Sequence, residues 1–205
     1  YFAVPFLTVA LSRETALFST NFSSIRTANH RQGEFLVWSF FLLIYLLFCF
    51  LPFFYRRSLP RRRKWDGMLL LFLGCGLLLL TSVFTPYLPR EEPFLSQIHV
   101  YASVWSAVSF FFFLVLAVLP VYFHRQKEGR VLFCLLTAAA AFCASSYLIT
   151  GIVNSAMEIV YTLTCCTVAN RLHLFFPLLH PNGSEQECPA PHKCDPRGAF
   201  LYNRG

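Results

Sequence analysis

Residues 100–123 read VYASVWSAVSFFFFLVLAVLPVYF, 24 positions without one charged side chain. A helix rises about 1.5 Å per residue, so a run of this length reaches across a hydrocarbon core of about 30 Å. Lipid offers no hydrogen-bond partners, so a buried segment must pair its own backbone groups, as a helix does. This run therefore predicts a transmembrane helix, and its neighbours repeat the pattern. On either side lie apolar stretches at 35–55, 67–85, 131–150 and 152–176, each near the roughly 20 residues that a span needs. The chain starts with YFAVPFLTVALS (1–12), too short to cross, before Arg13. It lacks the basic start and small-residue cleavage site of a signal peptide. We expect it to be the end of a truncated helix, with an interfacial segment as the alternative.

The predicted fold is all-α: a polytopic transmembrane helix bundle over 1–176, with five complete helices plus a truncated N-terminal one, six in total. The alternating pattern of a membrane barrel is absent. Composition agrees. Of 205 residues, 56% are hydrophobic and only 13% charged, with 24 phenylalanines, which leaves too little charge to cover a water-facing globule. The remainder, 177–205, is rich in Pro, Gly and charge and is expected to be a flexible cytoplasmic tail.

Lys and Arg set the expected orientation. The loop 56–66, RRSLPRRRKWD, holds Arg56, Arg57, Arg61, Arg62, Arg63 and Lys64, and 124–130, HRQKEGR, holds three basic residues. Between them, 86–99 carries one Arg against two Glu, and the connection near Gly151 carries no charge, so both basic loops are expected in the cytoplasm and the membrane to be the plasma membrane. Segments 12–34, 86–99 and the turn at Gly151 then face out. Asp66 is expected to cap the third helix, and Pro86 and Pro89 to end it. The basic cluster fits anionic lipid headgroups, at about 1 kcal/mol per residue, although fixing topology is sufficient reason for it. No aromatic interleaving or nucleic-acid fold accompanies it, and nucleic acid is not expected as a partner.

Six cysteines fall within predicted helices and two in the tail, a distribution that suits packing residues and not a disulfide framework. The tail motif CPAPHKC (188–194) lacks the paired spacing of a zinc site, and no metal or cofactor is expected. The triplet Asn21-Phe22-Ser23 matches a glycosylation acceptor on the outward side. Small side chains from Thr137 to Ser146, and the pair Gly74 and Gly76, favour close helix approach.

One polar feature interrupts the apolar pattern. With a helix starting at 152, Asn154, Glu158, Thr162 and Cys165 fall on one stripe, with Tyr161 beside it. A charge in the bilayer centre costs at least about 2.5–3.5 kcal/mol, so the stripe must face other helices or a wet cavity. As a functional site, Glu158 would bind a proton or cation with Asn154 and Thr162 as ligands. As a structural one it would hydrogen-bond Asn154 or a serine of the fifth helix. The six-helix layout, the segment SRETALFSTNFSSIRTANHRQGE (12–34) and the NSAMEIVYT stripe resemble small bacterial six-helix membrane proteins and, in layout, the DRAM/Frag family. That resemblance implies an integral membrane bundle, and no catalytic residues carry over from it. The expected role is a non-catalytic scaffold or modulator of membrane lipids or of a membrane-protein partner; the alternative is a small transporter or channel using the Glu158 face. Hydrolase and metalloprotease motifs are absent from the sequence, and His99 and His124 are placed at opposite membrane faces.

Overall fold

A computed structural model describes residues 2–13, 16–23, 31–56 and 62–179, and its regular structure is entirely helical among these residues. The helices are α1 (Ala3–Leu11), α2 (Gln32–Arg56), α3 (Arg62–Phe84), α4 (Pro93–His124), α5 (Gln126–Thr150) and α6 (Ser155–Leu179). Among the described residues, four stretches are long and apolar enough to cross a membrane: Gln32–Pro52, Gly67–Phe84, Pro93–His124 and Gln126–Thr150. Helix α1 is only nine residues long. Helix α6, expected as a span over 152–176, has 25 residues and is not among the four found within the described residues.

Several helices extend beyond the apolar runs that reveal them. The basic segment expected as a loop at 56–66 is helical at Arg56 and from Arg62 onward, so Asp66 lies inside α3 and does not cap it. Arg and Lys are good helix formers, and the helix continues through them. Arg57 and Arg61 lie outside the described residues, as does the expected tail from 180. Helix α4 starts at Pro93, seven residues before the apolar run, with Pro at its first position, where a missing N–H costs nothing. The expected loop 124–130 shrinks to a break at Arg125, whose φ of −137° and ψ of 77° separate α4 from α5. Gly129 makes that tight hairpin feasible: a Cβ there would sit 2.3 Å from Tyr122 Cα.

Helix α4 packs against α3, α5 and α6, and α6 in turn touches α1, α2, α4 and α5. The bundle is unevenly filled along its length. Toward the C-terminal ends of α4 and α6 the core is closed by Phe113, Leu114, Ala117 and Val118 against Val168, Ala169 and Leu172, all fully buried. Phe50, Phe72, Phe110 and Phe113 form a cluster across α2, α3 and α4, with Phe50 and Phe113 rings 4.8 Å apart in edge-to-face geometry. Large apolar side chains such as Phe40, Leu70, Phe112, Leu148 and Ile149 are exposed on the outside, a surface suited to hydrocarbon.

Candidate functional site

The N-terminus of α6 and the segment 16–23 are built into each other. A helix leaves its first N–H groups without intrahelical partners, and here each finds one. Ser155 N–H donates to Thr20 O at 2.7 Å, Ala156 N–H to Leu17 O at 2.9 Å, and Met157 N–H to Asn154 Oδ1 at 3.0 Å. The Ser155 hydroxyl adds a second bond to Thr20 O at 2.8 Å. Glu158 returns the interaction: its Oε2 accepts the Phe22 backbone N–H at 2.6 Å.

This geometry corrects the placement of Asn154. The helix begins at Ser155, not 152, because Asn154 is its N-cap and not a member of the polar stripe. Its amide Nδ2 donates to Ser146 Oγ of α5 at 2.9 Å and reaches Thr150 Oγ1 at 3.3 Å, with the residue fully buried. Gly151, at φ +71°, ends α5 in the left-handed region and makes the short turn that brings the two helix ends together. The expected bond between Glu158 and Asn154 or a fifth-helix serine is replaced by these two separate arrangements.

The other members of the stripe do share a site. Glu158, Tyr161, Thr162 and Cys165 line a cavity of about 460 Å³ between α2, α3, α4 and α6, within the usual range for small-ligand sites. Phe22 and Ser23 lie at one end of it and Phe72 and Phe110 at the other. Its walls are mostly aliphatic and aromatic. Among the lining residues Leu47, Leu73, Leu77 and Leu80 are exposed, so the cavity opens sideways between α2 and α3. Tyr161 donates its hydroxyl to Ala107 O at 2.6 Å, tying α6 to α4. Thr162 is buried against the cavity, and its hydroxyl makes no hydrogen bond among the described residues.

Further polar contacts surround the end near segment 16–23. Ser82 and Ser103 bond through their hydroxyls, and Ser103 Oγ donates to His99 O at 2.8 Å. Phe22 packs edge to face on Trp38 at 5.5 Å, and Trp38 Nε1–H donates to Thr8 Oγ1 at 2.9 Å. Arg31 reaches the carbonyls of Ala10 and Leu11 at the C-terminus of α1, where a cation complements the helix dipole, and that of Arg13 just beyond it, and pairs with Glu34.

Comparison with protein families, curated proteins and solved structures found no match. The site therefore speaks through its own chemistry. No group of three or more His, Cys, Asp or Glu side chains suited to a metal ion occurs among the described residues, and the CPAPHKC segment lies outside them. The side chains of Arg56, Arg62, Arg63 and Lys64 are likewise outside the described set. Sequence reasoning missed Phe22, Ser23 and His99. Ser23 and His99 are 76 residues apart, and no local pattern links them. The Asn154 cap did have a signal, Asn followed directly by a good helical run.

Proposed function

We propose that this chain is a multi-pass integral membrane protein that holds an amphiphilic lipid in the cavity between α2, α3, α4 and α6. The shape and lining of that cavity carry the reading. Its apolar walls suit an acyl chain or a ring system, its exposed lining residues face the surface that hydrocarbon would cover, and Ser23, Ser82, Ser103 and Glu158 lie beside segment 16–23 and His99. The Thr162 hydroxyl, which lines the cavity and makes no hydrogen bond among the described residues, is placed to bond an amphiphile's polar head. This specifies the expected role of a modulator of membrane lipids, with the basic residues around 56–64 on the cytoplasmic side of the plasma membrane. The layout likeness to the DRAM/Frag family belongs to the same reading.

Transport through the Glu158 face draws less support. Its carboxyl already holds Phe22 N–H, and the cavity beyond it is walled by Leu and Phe with no second acid.

The test uses vesicles containing a phospholipid with a photoreactive acyl chain. Crosslinks should map to cavity residues such as Leu73, Leu77 and Tyr161. Gly76→Phe should reduce them several-fold, because Gly76 lines the cavity and a side chain there meets nothing within 4 Å at its Cβ. Equal crosslinking in a folded Gly76→Phe protein would end the proposal.

A further inference from the structure

Ser23 Oγ lies 2.7 Å from His99 Nε2. The other ring nitrogen, Nδ1, lies 2.8 Å from Ser82 O and 3.0 Å from Thr85 O. Carbonyl oxygens only accept, so in the neutral ring Nδ1 carries the proton and Nε2 presents its lone pair. The Ser23 hydroxyl therefore donates to Nε2. A hydroxyl bonded to a histidine whose tautomer is fixed from behind is the arrangement of an activated nucleophile and its base. In this bundle two main-chain carbonyls at the end of α3 supply the fixing.

Three further observations bear on the pair. His99 is 2% exposed, and its ring lies 5.6 Å from that of Tyr87, so the imidazole is held in place. Ser23 lines the same cavity as Thr162. Anchoring segment 16–23 does not require the pair, since Leu17, Thr20 and Phe22 already bond α6. His99 is six residues into α4, about 9 Å from its first turn. A 32-residue helix overreaches a hydrocarbon core of about 30 Å at its ends, so on the membrane-spanning reading this position suits the ester level of a lipid.

We propose that Ser23 and His99 form a nucleophile and base pair that hydrolyses a carboxylic ester of a membrane lipid whose acyl chain occupies the cavity. The inference rests on the amphiphile-binding reading and names the bond that is cut. Ser23 Oγ attacks the ester carbonyl carbon while His99 Nε2 takes the hydroxyl proton. The bond from the acyl carbon to the alkoxy oxygen breaks, and the departing alcohol leaves with that proton. A water molecule then gives a proton to His99 and its oxygen to the acyl carbon. The carboxylic acid departs, and the proton returns from His99 to Ser23.

The full chain in detergent micelles is treated with a long-chain alkyl fluorophosphonate, which phosphonylates an activated serine with loss of fluoride, and adducts are mapped by mass spectrometry. One adduct on Ser23 is expected, absent in Ser23→Ala and formed at least about ten-fold more slowly in His99→Gln, in keeping with the usual worth of a general base. No adduct at Ser23 in wild type, labelling spread over other serines, or an undiminished rate in a folded His99→Gln protein overturns the proposal. If His99→Gln does not fold, the wild-type map decides alone. Photocrosslinking by the acyl probe separates the two readings. Crosslinking retained in wild type and Ser23→Ala without phosphonylation removes the hydrolase and leaves the lipid site, whereas no crosslinking in wild type removes both.

Discussion

Asn154 spends every hydrogen-bonding group of its side chain: the oxygen caps α6, and the amide nitrogen ties α5. Asn154→Ala removes the cap and leaves Ser146 without its donor, so we expect a loss of about 1–2 kcal/mol in unfolding by denaturant. Glu158 works through a single oxygen. Glu158→Gln keeps an acceptor for Phe22 N–H and should stay close to wild type, whereas Glu158→Ala should cost about 1–3 kcal/mol by leaving that donor unpaired. Equal stability of the Ala and Gln variants would show that the bond is not an anchor. Gly129→Ala is also destabilising, because the new methyl meets the Tyr122 main chain and not a movable side-chain tip. Overpacking of this kind costs about 1–3 kcal/mol, and the same unfolding assay reads it.

Helix α6 and segment 16–23 exchange donors and acceptors in both directions, so their protection from solvent should be linked. In hydrogen exchange, the amides of Ser155, Ala156 and Phe22 should be slow together, and Glu158→Ala should speed Phe22 most. Fast Ser155 and Ala156 amides in wild type would mean that the segment is not docked. Elements of this bundle differ in how plainly the sequence announces them. The centres of α2 to α5 are written in uninterrupted apolar runs, and all four appear where those runs lie. Their ends were less legible, since a run stops at the first charge while a helix continues through Arg, Lys or an N-terminal Pro, as α3, α4 and α5 do. Periodicity found the shared face of Glu158, Tyr161 and Thr162 because that property is local to one helix. It missed Phe22, Ser23 and His99 because their meeting depends on how a connecting segment folds back over the bundle, which no spacing along the chain encodes.

Among the described residues the bundle is packed solid around Val118, Val168 and Leu172 and holds a cavity toward its other end, with exposed lining residues on α2 and α3. Its expected orientation is testable independently of the hollow: cysteines introduced at Pro60 and Gln126 should react with impermeant reagents only after cells are opened, and labelling of intact cells would invert the topology. On the proposed membrane-spanning reading a sideways gap faces lipid, so whatever fills the space would arrive by diffusion within the membrane plane. Its occupancy would follow the mole fraction of that molecule among the surrounding lipids and not its concentration in the aqueous buffer. Diluting a sample of vesicles with buffer should leave the bound fraction unchanged, while diluting the bilayer with inert lipid should empty it.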